Sequence, residues 1–186
     1  MMDFGKFYEL KTRRLHFRMM DESDLYDYHE FAGDSDTIFY TAWVLTKTID
    51  DAKKKLLERI ENAEKGTFHI AAIVDNESNK MIGNIMFFDL SEKDKRVEVG
   101  YILNKKYWGK GFITEALKEF VNYIFITLNL NKISAQIVDG NIGSKNVLEK
   151  NGFKLEGTLR ENYLYENGFK DLLVYSILKS EYQEFC

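Results

Sequence analysis

One stretch of this chain restricts its fold more than any other: an apolar strand, a loop with two glycines, a helix and a second strand, in unbroken succession. Residues 97–103 read as a strand and run through a short polar loop into Gly109-Lys110-Gly111. Helical spacing begins at once, with Ile113, Ala116, Leu117, Phe120, Val121, Ile124 and Leu128 on one stripe. Phe112 and Phe125 widen that stripe, which predicts a largely buried helix. Residues 132–138 return as a strand. Two strands joined through a helix lie parallel, because a tight hairpin cannot connect them that way.

The remaining segments predict an antiparallel surround. The chain has no proline, so its element ends are set by glycine, asparagine and capping side chains. Residues 13–18 alternate as a first strand. Asp21 then caps a helix over about 22–33, which stops near Gly33. Thr48 and Asp51 form the pattern of a capping box for a long amphipathic helix closed by Gly66. Between these helices lies an aromatic-rich connector, 38–44. Strands follow at 68–74, 81–90 and 97–103, separated by turn-forming polar residues. A short helix at 143–150 stops at Asn151-Gly152, and two final strands meet at Glu166-Asn167-Gly168, a pair suited to a tight hairpin.

At 186 residues the chain is long enough for one domain with its own core, and no linker or repeat divides it. A net charge of −4 argues against a broad nucleic-acid footprint. The sole cysteine, Cys186, has no partner for an internal disulfide and is poorly placed as a nucleophile. No apolar run of membrane-spanning length occurs and the first residues lack a secretory pattern, so the expected location is cytoplasmic, with no membrane partner.

The glycine loop has a chemical reading of its own. Exposed N–H groups at a helix start, at the positive end of its dipole, form an anion site, and Lys110 adds a cation. A Walker-type phosphate loop is excluded, since its G-x-x-x-x-G-K-[ST] pattern does not occur. A dinucleotide fingerprint fails because Thr114 stands where a third glycine is required.

The stretch from Glu98 to Ala116 resembles the acetyl-CoA signature of GNAT N-acetyltransferases, in the form of the RimJ/RimL-like branch that modifies ribosomal-protein N-termini. That family's Gln/Arg-x-x-Gly-x-Gly/Ala loop aligns with Trp108-Gly109-Lys110-Gly111-Phe112-Ile113, with Trp108 and Ile113 as departures. A second stretch, residues 141–153 ending in Asn151-Gly152-Phe153, resembles the family's following helix. There Leu148 replaces a tyrosine that many members use to protonate the leaving thiolate, while Ser144 matches the RimL-like branch. Arg14-Leu15-His16-Phe17-Arg18 at the start and Glu156-Gly157-Thr158-Leu159-Arg160 with Asp171 and Tyr175 near the end also fit that branch.

The resemblance implies an α+β GNAT fold: a twisted, mixed, mostly antiparallel sheet of about seven strands flanked by four helices, with two strands splayed to hold acetyl-CoA. It implies transfer of acetyl from acetyl-CoA to a primary amine. No covalent enzyme intermediate is required if both substrates bind together, which suits a sequence without a credible nucleophile, and no metal is expected. Expected cofactor-binding residues are Val99, Tyr101, Ile102 and Leu103 on the strand, Trp108, Gly109, Lys110, Gly111, Phe112, Ile113 and Thr114 in the loop, and Asn141, Ser144 and Asn146 on the later helix. Glu98 is the expected base, through water, with His69 as its rival. Ser144 is the expected proton donor or hydrogen-bond partner for the thiolate. A backbone N–H near Val99 or Gly100 is the expected contact for the carbonyl oxygen. Phe39, Tyr40 and Trp43 in the connector, with Glu98, are expected to line the acceptor site, and Asp34 and Asp36 carry charge that suits a cationic amine. Each residue also has a plainer use, as core, cap or solvated charge. The acceptor stays open between a protein N-terminus, a polyamine and an aminoacyl-nucleotide antibiotic; so do a homodimer and a non-catalytic acyl-CoA sensor on the same fold.

Overall fold

The computed structural model describes residues 4–41, 43–66, 68–165 and 168–182. Among these, seven strands form one sheet: β1 (Leu15–Arg18), β2 (His69–Asp75), β3 (Met81–Ser91), β4 (Arg96–Leu103), β5 (Lys132–Val138), β6 (Lys154–Tyr165) and β7 (Gly168–Leu178), in the order β1-β2-β3-β4-β5-β7-β6. Every pairing is antiparallel except β4 with β5. The sheet is therefore mixed, with its one parallel contact at the strand–helix–strand crossover.

The helices are α1 (Leu25–Ala32), α2 (Ser35–Ile38), α3 (Ile49–Glu64), α4 (Phe112–Asn122) and α5 (Ile142–Lys150). Five stand where four were expected. The addition is α2, a single turn inside the aromatic connector, capped by Asp34 through a 2.7 Å bond from the Thr37 N–H. Four residues are too few to show a helical period, which is why the sequence conceals it. The expected capping box opens α3: Thr48 and Asp51 exchange side-chain and backbone bonds of 3.1 and 3.0 Å. Asp21 caps as expected, although it first caps a 3₁₀ turn, Glu22–Asp24, before α1 begins. An unanticipated 3₁₀ turn, Gly5–Glu9, places Phe7 fully inside, edge-on to Phe17, Phe87 and Phe120. Glu166 and Asn167 of the final hairpin turn, and Cys186, lie outside the described residues.

Strand alternation divides the core between the two faces of the sheet. On one face Ala71, Ile85, Phe87, Val97, Val99, Ile133 and Ala135 pack against α4 and against Leu148 of α5. On the other, Ile70, Ala72, Met86 and Ile102 pack against Tyr28 and Phe31 of α1 and Leu56 of α3. This division decides which site residues can meet.

Candidate active site

The site begins where β4 and β5 part. Their residues are partners only at Arg96–Lys132, Val97–Ile133 and Glu98–Ser134. Beyond that point β4 stays with β3 as far as Leu103, and β5 stays with β7 as far as Val138. The two strands diverge into a gap closed at Glu98 and open toward the glycine loop.

The direction of each peptide group in β4 follows from its pairing. Asn104 N–H donates to Ile82 O at 2.8 Å, so the even-numbered residues of β4 bond to β3. Residues 97, 99, 101 and 103 then turn their peptide groups toward the gap. Two side-chain contacts agree: Val97 O accepts from Ser134 Oγ at 3.3 Å and Leu103 O accepts from Trp108 Nε1 at 2.8 Å. In a parallel ladder the contact at Glu98–Ser134 engages Val97 O and the Val99 N–H. Among the described residues, the groups left for a ligand are Val99 O, both groups of Tyr101 and the Leu103 N–H.

This geometry sorts the expected strand residues. Val99, Tyr101 and Leu103 offer backbone to the gap. Ile102 does not: its peptide pairs opposite Asn84 of β3, and its side chain is buried against the other core. The expected carbonyl contact also moves. Gly100 faces β3 and the Val99 N–H is engaged by β5, so the first free donor is Tyr101 N–H. Gly100 makes room for protein rather than ligand, because a Cβ there would come within 3.3 Å of Met86 and Phe88.

At the open end, residues 109–114 form a backbone nest. Gly109 and Gly111 adopt φ of 72° and 77°, a left-handed conformation that favours glycine. The first helical bond of α4 is Glu115 N–H to Gly111 O. The N–H groups of Gly109 through Thr114 therefore have no acceptor among the described residues, and successive free amides of this kind cradle anions. The loop is held from one side by α1 and α2. Glu30 accepts from Asn104 Nδ2 at 2.9 Å and pairs with Lys106 at 2.7 Å, while Lys105 pairs with Asp36. Asp34 caps α2 and Asp36 is ion-paired, so neither acid is free to greet an amine. The indole nitrogen of Trp108 ties the loop to β4 while its ring stays exposed.

Across the gap stands α5. Asn141 caps it, its Oδ1 accepting from Ser144 N–H at 3.0 Å. Ser144 O receives the Tyr101 hydroxyl at 3.4 Å, which links α5 to β4, and burial pushes the Tyr101 phenol well up. Ser144 Oγ has no hydrogen bond among the described residues and so remains available. Asn146 lies on the exposed side of α5, away from these contacts. Leu148 is fully buried in the core.

Glu98 and Gln136 meet at the closed end, with Gln136 Nε2 donating to Glu98 Oε2 at 3.2 Å. Burial pushes the Glu98 carboxyl up and Asp89 adds to this, against the opposing effects of Gln136 and Arg96. His69 is on the opposite face, stacked on Phe87 at 4.5 Å and beside Phe4, and burial lowers its imidazole. The sheet separates it from Glu98, so the two cannot exchange roles. Gln136 escaped the sequence reading because only the register of the parallel pair brings it to Glu98.

The connector crosses the open end on the Glu98 face. Tyr40 sits over the β5–α5 loop, where a Cβ on Gly140 would lie 3.5 Å from its hydroxyl. Phe39 packs against Tyr40 and Tyr165, at 4.8 and 5.5 Å between ring centres. Tyr163 donates to Thr41 O at 3.0 Å, and Tyr165 donates to Phe39 O. Two tyrosines of β6 thus strap the connector to the last hairpin, and the Tyr165 phenol, desolvated beside Tyr163 and Tyr40, is pushed up to about 12. Trp43 is elsewhere. It packs on Tyr28 and Phe31, with the Arg59 guanidinium 3.6 Å above its ring, and closes the α1–α3 core rather than the acceptor site.

Residues 14–154, which include the parting strand pair and the amide nest, match the family model of the acetyltransferase (GNAT) domain. This chain belongs to the GNAT acetyltransferase family. It is 29% identical over 173 residues to an uncharacterized N-acetyltransferase, p20, of Bacillus licheniformis, a match that covers 93% of this chain and 97% of that one. Its fold superposes on a GNAT-family acetyltransferase from Bacillus anthracis with TM-score 0.81 and 26% identity, covering 92% and 99% of the two chains. It also superposes on a spermidine N-acetyltransferase from Vibrio cholerae solved with CoA and spermine, with TM-score 0.78 and 20% identity over 91% and 98%. The GNAT chain described here is an acetyl-CoA-dependent N-acetyltransferase. Among its described residues no helix is long and apolar enough to cross a membrane.

Proposed function

We propose that this GNAT enzyme acetylates a small primary amine or an exposed α-amine by direct transfer, with both substrates held at the β4–β5 gap. The observation that carries the reading is the alignment of three features along one opening: Glu98 at its closed end, free backbone of Val99, Tyr101 and Leu103 along its wall, and the amide nest of residues 109–114 at its mouth. An extended cofactor with a reactive end and a diphosphate fits that order. Acetyl-CoA supplies a thioester carbonyl for attack by a neutral amine.

The chain supplies the rest. Glu98, its pKa raised by burial and oriented by Gln136, takes the amine proton through water. Tyr101 N–H is positioned to polarise the carbonyl. Ser144 Oγ, without a hydrogen bond among the described residues, donates to the departing sulfur, a role left open by Leu148 in place of tyrosine. Gly109–Thr114 and Lys110 hold the phosphates. Direct transfer suits a site whose candidate hydroxyl, Ser144, has no base bonded to it among the described residues.

The acceptor enters on the Glu98 face, beneath Phe39 and Tyr40. Because Tyr163 and Tyr165 fasten this connector down, the acceptor site ends in an aromatic wall that admits a terminus more readily than the middle of a chain. Calorimetric titration with acetyl-CoA, followed by thiol release against peptides, polyamines and aminoacyl nucleotides, tests the reading. Saturable binding with release on one acceptor class supports it. Binding with no release on any of them refutes the proposed acceptors, and absence of binding refutes the site.

A further inference from the structure

The glycine loop is gripped from a second direction, by the segment that leads into β1. Arg14 Nη1 donates to Lys110 O at 2.9 Å, and its guanidinium carbon lies 4.3 Å over the Phe112 ring. Its Nη2 rests beside Gly111, 3.5 Å from where a Cβ would stand. The other edge of the same side chain belongs to Glu115. Arg14 Nε donates to Glu115 Oε2 at 2.6 Å, while Arg14 N–H and Thr12 Oγ1 donate to Oε1 at 3.0 and 2.6 Å. Burial pushes the Glu115 carboxyl up, but these bonds outweigh it and hold the group ionised.

The arrangement presents an electrostatic problem and its solution together. Glu115 is in the first turn of α4, next to amides that must receive a phosphate anion. A bare carboxylate there would repel the ligand. An arginine that served only to neutralise it could offer both guanidinium nitrogens of one edge; here Nη1 goes instead to a loop carbonyl.

We propose that Arg14 is a positioning residue for the diphosphate loop, which it clamps through Lys110 O while masking the Glu115 carboxylate from the bound phosphates. The inference rests on residues 109–114 receiving those phosphates. The clamp holds the carbonyl of Lys110 turned outward, so that the flanking amides point into the nest. The mask lets Glu115 anchor β1 to α4 without cancelling the field of the helix terminus.

Arg14→Met keeps most of the apolar stem and removes clamp and mask together. It is expected to weaken acetyl-CoA binding about tenfold by calorimetry, raising KM for acetyl-CoA while kcat at saturation stays within about twofold. Adding Glu115→Gln in that background is expected to recover about threefold of the affinity, the share lost with the mask, while the share lost with the Lys110 O clamp stays lost. In an Arg14→Lys background, where a cation still faces Glu115, the same addition brings no gain. A residue that only held the fold together would show neither the KM–kcat split nor this rescue. If Arg14→Met does not fold, Arg14→Gln carries the same comparison. Wild-type affinity in the Arg14 variants, or a double variant that binds no better than the single one, overturns the proposal. Gly111→Glu separates this from the underlying reading: retained affinity there would mean that the phosphates bind elsewhere.

Discussion

Replacing Glu98 by Gln tests the base with almost no change of shape. Gln136 Nε2 at 3.2 Å can still donate to the side-chain oxygen at position 98, so the site keeps its packing and loses only a proton acceptor. General bases are worth about 10²–10⁴ in rate. The first free donor for the carbonyl, Tyr101 N–H, lies three residues along the strand, about 10 Å away. A carboxylate at that distance must work through water, which places the expected loss at the low end. We expect kcat to fall roughly 10²-fold, or about 2.7 kcal/mol, while the Kd for acetyl-CoA is unchanged. The sign of the pH dependence follows from burial, which raises the Glu98 pKa. The ionised form is the base, so wild-type kcat falls as pH drops through that raised value, and the acid limb disappears in the variant. Linkage gives an opposite sign for stability. A carboxyl whose pKa is higher folded than unfolded costs stability when ionised, and the cost is relieved as pH falls. Glu98→Gln is therefore expected to melt at a higher temperature than wild type at neutral pH. Thiol release measured from acid to alkaline pH, with calorimetry and thermal melts, reads all three quantities. An unchanged kcat with an unchanged acid limb would remove Glu98 from the mechanism.

Four further outcomes are expected. Gly111→Glu places a carboxylate in the amide nest at a left-handed φ of 77°, costs about 1–2 kcal/mol of stability, and abolishes acetyl-CoA binding in calorimetry without unfolding the domain. Ser144→Ala removes one hydrogen bond to a developing thiolate, worth about 1.5 kcal/mol, and slows single-turnover transfer about tenfold; a wild-type rate would reduce Ser144 to a helix-end serine. Tyr163→Phe with Tyr165→Phe releases the connector and raises KM for the acceptor, leaving the Kd for acetyl-CoA as it was; an unmoved acceptor KM would detach the hairpin from the acceptor site. Gly83→Ala drives a Cβ to 2.2 Å from Ile102 O, a backbone atom that cannot yield without shifting β4, and costs about 3 kcal/mol or more in denaturant titrations.

The half of the site proposed to hold acetyl-CoA could be read from sequence because its signals are local. Gly109 and Gly111 adopt the positive φ that their spacing suggests, and the apolar stripe from Ile113 to Phe125 becomes the buried face of α4 and the π-helical turn that continues it. The bounds of β5 agree with the alternation of its residues for the same reason. What could not be read depends on register. Gln136 reaches Glu98 only because Glu98 pairs with Ser134, and a one-residue slip would send Gln136 to the other face. His69 is kept from the Glu98 face on the same ground, since its pairing opposite Phe87 sets its face. Arg14 and Glu115 are about a hundred residues apart in the chain and share no pattern.

The acceptor half shows where local reasoning reaches its limit and which clue remained within it. Phe39, Tyr40 and Trp43 look alike as a run of aromatics, and nothing near them in the chain tells wall from core. That choice is made by Arg59 on α3, whose guanidinium covers the Trp43 ring, and by Tyr163 and Tyr165 on β6, which fasten the connector carrying Phe39 and Tyr40. The two tyrosines did carry a signal, because residues two apart on a strand share a face. They reach the connector because β6 changes register between Leu159 and Tyr163, with Glu161 at φ 52° and its N–H bonded to Asp171. Such a bulge re-aims the strand beyond it. The aromatic wall of the proposed acceptor site is therefore held by a strand whose course is set by a backbone irregularity about 120 residues away. Relatives that keep the glycine loop while altering residues 160–165 should keep acetyl-CoA and change acceptor, and acceptor panels run on such hairpin variants would show it.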